Sequence, residues 1–240
     1  MEIELKRLQE IVIQCRKCPR LVAYLKEVSK NGPKRFREWE YWGKPLPSFG
    51  DPNAQVLIIG LAPAANGGNR TGRMFTGDRS GEWLFRGLHE FGFANHPNSS
   101  RRDDDFALKD CYITATIRCA PPDNKPLPEE IENCRPYFLE ELDLLMNVKV
   151  LIPLGQIAFT QTLKSLRLKG MEIPPLSFGH GKTYEILMGN RLRTPDSQLR
   201  TISLITTYHP SQQNTQTGRL TKPMFHRIFR MVRKRLEDGG

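Results

Sequence analysis

The chain has 240 residues, enough to bury one substantial hydrophobic core, and its formal net charge is +10 at pH 7. This charge favours an anionic partner such as nucleic acid, although a generally basic, soluble protein would show it too. No apolar run approaches the roughly 20 residues that span a bilayer, and the alternating charges of the first six residues do not resemble a signal peptide. We therefore expect a single domain over residues 1–240, located in the cytoplasm.

The first quarter of the chain predicts two helical segments and a long loop. Apolar residues recur at helical spacing over residues 1–16, and a second helical segment covers about 19–28. Residues 30–53 are rich in proline, glycine, lysine and aromatic side chains, which predicts an ordered loop. The aromatic residues at 39–42 either cover the edge of the core or contact a ligand, and the sequence leaves both interpretations open.

Four apolar runs then alternate with helical patterns. This alternation predicts a mainly parallel sheet covered by helices on both faces. The predicted strands are 55–61, 111–117, 148–154 and 202–208, and the predicted helices are 80–91, 128–146, 156–167 and 222–236.

Capping and turn residues add detail to these elements. Ser80 is the expected N-cap of the helix over 80–91, and Pro136 is expected to kink the helix that contains it. Gly189-Asn190 allows a two-residue hairpin turn, although the strands beside it are weak. Residues 94–105 form a polar excursion, which we expect to be a surface loop.

The most informative segment is 60–78, which follows a predicted buried strand and contains five glycines. Open α/β sheets bind ligands at the carboxyl ends of such strands, and glycine lets the backbone approach a ligand closely. Arg70 and Arg73 offer planar guanidinium groups for phosphate. Phe75 offers a ring that can stack on a base, and Asp78 offers a carboxylate for polar chemistry.

Four of the five cysteines form the pattern C-x2-C, a long gap and C-x14-C: Cys15, Cys18, Cys119 and Cys134. Four thiolates suit a [4Fe–4S] cluster or a tetrahedral zinc ion, and the scattered second pair favours the cluster. A redox C-x-x-C pair and unligated cysteines are the alternatives, although a redox pair usually opens a helix and this pair ends one. Cys111 begins a predicted strand and is expected to be a core residue.

A second polar segment, 208–221, comes at the end of the last predicted strand. His209 stands at the end of that strand, next to where the 60–78 loop should lie, which makes an active-site role as plausible as a structural one. The basic residues of the helix over 222–236 form either a solvated face or a surface that follows a phosphate backbone. The segment also supplies polar side chains that suit DNA contacts: Ser211, Gln213, Asn214 and Arg219.

These motifs resemble those of the family-five, or type B, uracil-DNA glycosylases of archaea and bacteria, a branch of the uracil-DNA glycosylase superfamily. The resemblance covers about residues 10–235. It implies a three-layer α/β/α sandwich around a mainly parallel four-stranded sheet, a [4Fe–4S] cluster, and excision of uracil, hypoxanthine and xanthine from DNA. The matching motifs are G-L-A-P-A at 60–64, N-R-T-G-R-x-F-T-G-D at 69–78, R-C-A-P-P at 118–122 and H-P-S-x-Q-N-T-Q-T-G-R at 209–219.

By position, the resemblance also implies roles for individual residues. Asp78 would hold the attacking water or stabilise the sugar cation, and His209 would donate a hydrogen bond to uracil O2. Phe75 would stack on the flipped base, and Asn124 would place the water or the base. Residues 61–64 are apolar where other branches place a polar catalytic residue, which moves the main catalytic role to Asp78. Further substrate contacts are expected from Gly60, Ala62 and Asn69.

Two rival functions belong to other classes. A non-catalytic iron–sulfur protein that binds DNA or senses damage would show DNA affinity without releasing a base. A nucleotide-binding enzyme is weakened as an alternative because the sequence has no G-x-x-x-x-G-K-[ST] loop. We expect a monomer that acts on double-stranded or single-stranded DNA containing deaminated bases, in the nucleoid of a prokaryotic cell, with the cluster in a structural role.

Overall fold

The computed structural model describes residues 2–188 and 200–238. Short 3-10 turns occur at Lys34–Phe36 and Pro122–Asn124. The strands are β1 (Phe49–Gly50), β2 (Val56–Gly60), β3 (Cys111–Ala115), β4 (Val150–Pro153), β5 (Thr183–Met188) and β6 (Arg200–Ile205). The helices are α1 (Glu2–Ile13), α2 (Pro19–Lys30), α3 (Gly68–Thr71), α4 (Arg79–Glu90), α5 (Pro128–Leu144), α6 (Gln156–Leu168), α7 (Gln212–Gln216) and α8 (Lys222–Asp238).

The described strands form one mixed sheet in the order β1-β3-β2-β4-β6-β5. Its four central strands are parallel, as the alternation of apolar runs and helices predicts. Two antiparallel strands, β1 and β5, extend the edges, so the sheet is larger than the four strands expected. β1 has only two residues and leaves no periodic pattern in the sequence. The hairpin turn predicted at Gly189-Asn190 lies outside the described residues.

Successive residues of the central strands face opposite sides of the sheet, which creates two cores. In β2, Val56 and Ile58 pack into one core, and Leu57 and Ile59 pack into the other. Helices α4 and α8 cover the first core, whereas α1, α5 and α6 cover the second. The three-layer α/β/α sandwich is therefore confirmed, with its catalytic loops expected at the carboxyl edge of the parallel strands.

Three details of the helices differ from, or add to, the sequence-based expectations. The N-cap of α4 is Asp78 rather than Ser80, because the Asp78 carboxylate accepts the Gly81 N–H at 2.8 Å. Helix α5 continues across Pro136, which is exposed, so that the carbonyl freed by the proline can bond to water. No helix within the described ranges has the length and hydropathy needed to cross a bilayer.

A buried ion pair joins the segment after β3 to α5. Arg118 Nη2 donates to Glu141 Oε2 at 2.5 Å, and both side chains are at most 1 % exposed. The Thr114 hydroxyl donates to the same oxygen at 2.6 Å, and the Gln9 amide of α1 donates to the other oxygen at 3.1 Å. One carboxylate therefore fixes α1, β3 and α5 to each other.

Removal of this carboxylate should destabilise the fold strongly. We predict that Glu141→Ala lowers the free energy of unfolding by about 3–5 kcal/mol, since Arg118 would remain buried without its counter-charge. The matched control is Glu140→Ala, at an exposed position on the same helix, which should change it by less than about 0.5 kcal/mol. Urea unfolding followed by circular dichroism measures both. Equal small losses in the two variants would show that the ion pair does not hold the layers together.

Candidate functional site

The segment between β2 and α4 folds into a compact loop at the carboxyl edge of the sheet. Within it, the Asn69 N–H donates to the Ala64 carbonyl at 3.1 Å, and the Gly72 N–H donates to the Gly68 carbonyl at 2.7 Å. Gly72 ends α3 with a φ of +81°, a conformation that favours glycine. These bonds close the loop on itself before it enters α4 at Asp78.

The carboxylate of Asp78 is held in a fixed position between the helix and the loop. Its Oδ1 accepts the Gly81 N–H, and a Cβ added at Gly67 would lie only 2.4 Å from its Oδ2. Only a glycine at position 67 therefore leaves room for this carboxylate. Burial raises the pKa of Asp78 above its usual range, against the opposing effect of the N–H groups of Gly81 and Ser80.

Phe75 occupies the mouth of this loop in a left-handed conformation, with a φ of +58°. Such a conformation is uncommon for an aromatic residue and is frequent at functional sites. A Cβ added at Gly60 would lie 3.1 Å from the Phe75 ring, and one added at Gly81 would lie 1.5 Å from the Phe75 carbonyl oxygen. These two glycines therefore admit Phe75 to the end of β2.

His209 reaches the same place from the segment that follows β6, two strands away from β2 in the sheet. Its ring lies 6.3 Å from the Phe75 ring between centroids, at an interplanar angle of 30°. Its backbone is fixed by the Asn214 amide, which donates to the His209 carbonyl at 2.8 Å, and Gly155, with a φ of +92°, leaves space beside it. Burial lowers the pKa of His209 to about 4, which keeps the imidazole neutral at neutral pH.

The remaining predicted substrate residues lie at different depths. Asn69 is fully buried, and its Oδ1 has no hydrogen-bond partner within the described residues. A buried acceptor without a donor points to a bound water or ligand at that position. Gly60 and Ala62 flank the start of the loop. Asn124 is exposed in the segment after β3, and it makes no side-chain hydrogen bond with the described residues.

Two arginines predicted to bind DNA instead form the interior of the loop. Arg70 is 4 % exposed and donates to the carbonyls of Asn66 at 2.9 Å and Gly77 at 3.1 Å. Arg73 is 7 % exposed and donates to the Thr76 hydroxyl at 3.1 Å and to the carboxylate of Asp104. A phosphate contact by either guanidinium would require these internal bonds to be exchanged.

The predicted DNA contacts of the second polar segment also include side chains that support the fold and side chains that are exposed. Ser211 caps α7 by accepting the Asn214 N–H at 3.3 Å, so both side chains support the fold of the segment. Gln213 is exposed, and so is Arg219, whose guanidinium lies 4.8 Å from the centre of the Tyr208 ring. Gln213 and Arg219 are therefore the two residues of this group that are available to DNA.

Sequence reasoning did not assign a role to three glycines that shape this site. Gly67, Gly81 and Gly155 each give space to a candidate site residue, namely Asp78, Phe75 and His209. Their role could have been predicted only from their position, since each lies beside a helix N-terminus at the carboxyl edge of the sheet. Their contact partners, however, depend on tertiary packing.

The four cysteines of the predicted metal site face one cavity. Cys15, Cys18, Cys119 and Cys134 line it together with Arg118 and Tyr137. Burial raises the pKa of the Cys134 thiol to about 11 and raises that of Cys119 further. Among the described residues, no three side chains of His, Cys, Asp or Glu converge on the position of a single metal ion.

Cys111 lies apart from this cavity. It is fully buried in the core beneath α4 and α8, where it packs among apolar side chains, as the sequence predicts.

Comparison with known proteins places the chain in a family. A model of the uracil DNA glycosylase superfamily matches residues 47–233. A Type-5 uracil-DNA glycosylase of Thermus thermophilus is 47 % identical over 92 % of this chain and 93 % of its own length. Type-5 uracil-DNA glycosylases of Pyrobaculum aerophilum (40 % identical; 95 % of this chain, 91 % of the relative) and Mycobacterium bovis (41 %; 95 % and 80 %) are also similar. The chain therefore belongs to the uracil DNA glycosylase superfamily, in its type-5 branch.

Proposed function

We propose that this protein excises uracil from double-stranded DNA by hydrolysis of the N-glycosidic bond, leaving an abasic site. The observation that carries the proposal is the convergence of Asp78, Phe75 and His209 at one edge of the sheet, from two loops far apart in sequence. The relatives named Type-5 uracil-DNA glycosylase share 40–47 % identity with the chain. The net charge of +10 suits a DNA substrate.

Asp78 supplies the carboxylate that this reaction needs near the sugar. When the bond to the base breaks, its electron pair leaves with the base, and positive charge develops on the deoxyribose. The ionised form of the carboxylate stabilises that charge and orients a water molecule toward the sugar carbon. The raised pKa of Asp78 makes it a stronger base, which accepts a proton from the water as the new C–O bond forms. The fixed position of Asp78 against Gly67 and α4 provides this group without reorganisation.

His209 acts in the proposal as a neutral donor to the departing base. The base leaves with negative charge that includes uracil O2, and an imidazole N–H can stabilise it without being an acid. Burial disfavours the imidazolium form, in agreement with this role. Phe75 supplies the surface on which the flipped base stacks, after the base has left the duplex at a cost of a few kcal/mol.

We extend the proposal to hypoxanthine and xanthine. Stacking on Phe75 does not depend on the hydrogen-bonding edge of a pyrimidine, and Ala62 at the start of the loop places no polar side chain against a particular base. Hypoxanthine has no O2, so its excision should depend less on His209 and more on Asp78. Asn124 remains a candidate for placing the water or the base.

We further propose that Cys15, Cys18, Cys119 and Cys134 hold a [4Fe–4S] cluster. The support is that these four line one cavity, and four cysteine thiolates are the usual ligand set of such a cluster. The bound cluster would supply a cross-link between the α1–α2 junction, the end of β3 and α5. Its role in the proposal is structural.

The alternative, a non-catalytic damage sensor, is not favoured. A sensor needs to recognise a base but has no need for a carboxylate fixed beside it. Tight duplex binding without base release from any deaminated substrate would nevertheless support it.

The first prediction concerns base release. The purified protein should release uracil from a uracil-containing duplex and leave a backbone that breaks only after alkali. Asp78→Ala should slow single-turnover release by at least about 10²-fold, because the developing sugar cation loses its stabilisation, with duplex affinity little changed. The control is Ser80→Ala, which preserves the backbone N–H beside Asp78. Absence of release by the wild type would refute the proposal.

The second prediction concerns the protonation state of His209. Its imidazole should titrate at about pH 4 in long-range 1H–15N NMR spectra, with the resonance assigned from His209→Gln. Because the unfolded chain binds this proton more tightly, the contribution of His209 to stability is complete above about pH 6.5 and is lost as the pH falls toward 4. Titration above about pH 7 would instead indicate an imidazolium donor.

The third prediction concerns the metal. Protein purified anaerobically should contain four iron atoms per chain and be brown. Cys134→Ala should lose both iron and thermal stability, because the cluster cross-links distant elements. Cys111→Ala is the matched control, since it removes a buried thiol from the core beneath α4 and α8, away from the cavity, and should retain the iron. Stoichiometric zinc without iron would overturn the assignment.

A further inference from the structure

Aromatic and arginine side chains from three separate segments form a continuous surface next to the loop over residues 60–78, which we call the catalytic loop. Arg70 lies 4.1 Å from both the Phe36 and Trp39 rings, measured from guanidinium carbon to ring centroid. Arg35 lies 4.8 Å from Phe36, and Arg101 lies 5.2 Å from Trp39. The contacts thus run in alternation: Arg35, Phe36, Arg70, Trp39, Arg101.

A second pair extends this surface. The Arg102 guanidinium lies 4.3 Å from the Trp42 ring centroid, and both side chains lie against Gly72 of the catalytic loop. We call Arg35, Phe36, Trp39, Trp42, Arg101 and Arg102 the arginine–aromatic surface.

The surface is fixed to the loop that carries Asp78. The Trp42 N–H donates to the Arg70 carbonyl at 3.1 Å, and the Tyr41 hydroxyl donates to Asn66 Oδ1 at 2.9 Å. Arg70 in turn bonds to the carbonyl of Gly77, the residue before Asp78. Anything that binds this surface therefore lies beside the proposed site of base excision.

Its outer arginines have charge that the fold does not neutralise. Arg35, Arg101 and Arg102 are exposed, and none of them forms an ion pair with a carboxylate in the part of the chain that the structure describes. The neighbouring backbone accounts for the position of two of them, because Arg73 binds the carbonyls of Arg101 and Arg102. The fold holds these guanidinium groups in place and leaves their N–H donors open.

We propose that the arginine–aromatic surface binds the sugar–phosphate backbone of the DNA strand beside the lesion. Guanidinium groups match phosphate with paired donors, and stacking on an aromatic ring holds each group in a defined orientation, so less entropy is lost on binding. This inference rests on the proposed function for the nature of the partner. It replaces the buried Arg70 and Arg73 as phosphate ligands with the exposed arginines that they hold in place.

The test is equilibrium binding to a duplex without uracil, measured by fluorescence anisotropy over a range of salt concentrations. Arg101→Ala/Arg102→Ala should weaken binding by about tenfold and should lower the slope of log K against log salt by about 2, one phosphate contact per arginine. Arg101→Lys/Arg102→Lys keeps the charge and should recover the slope.

The control double variant is Lys109→Ala/Arg167→Ala. Both residues are exposed. Lys109 precedes β3 and Arg167 lies in the last turn of α6, which places them at the amino edge of the sheet, away from the site. It should bind the duplex like the wild type.

The proposal would be overturned if the alanine double variant bound DNA with wild-type affinity and a wild-type salt slope. That result would favour an acidic protein as the partner of this surface. Failure of the lysine variant to recover the slope would also overturn the proposal, because the slope counts neutralised phosphates and lysine keeps the charge at both positions. The duplex contains no uracil, so these outcomes are independent of whether the protein excises a base.

Discussion

The fixed position of one carboxylate is the constraint on which the rest of the site depends. Asp78 caps α4 through the Gly81 N–H and packs against the backbone of Gly67. The cap determines where α4 begins, and the close approach to Gly67 determines how the catalytic loop returns to the sheet. Phe75, three residues earlier, is thereby placed over the end of β2, opposite His209.

Buried arginines stabilise the loop from behind this carboxylate. Arg70 satisfies two carbonyl oxygens of the tight, glycine-rich loop, and Arg73 joins the loop to the carbonyls of Arg101 and Arg102. Both guanidinium groups also lie against aromatic rings. Their guanidinium groups therefore stabilise the fold rather than bind a ligand. The structure separates a rigid interior of guanidinium groups from the exposed arginines around it. The motif R-T-G-R supplies the interior groups, and its Arg73 also holds the backbone of the exposed Arg101 and Arg102 in place.

The sequence allowed the central architecture to be predicted but not its edges. The four parallel strands overlap the apolar runs of the sequence, and such runs are recognisable without tertiary information. β1 is too short to produce a pattern. The N-cap was assigned to Ser80, two residues late, because serine and aspartate are equally good caps and only the geometry distinguishes them. The burial of Arg70 could not be foreseen, since it depends on Phe36 and Trp39 from a distant loop.

The central claim is that the position of Asp78, as well as its presence, carries the chemistry. The most direct test is the single-turnover rate of uracil release by Gly67→Ala at saturating duplex, with cooperative urea unfolding as the check on folding. We predict a loss on the order of 10²-fold, because the added methyl displaces the carboxylate while every catalytic residue remains. A wild-type rate in a folded Gly67→Ala protein would contradict the claim.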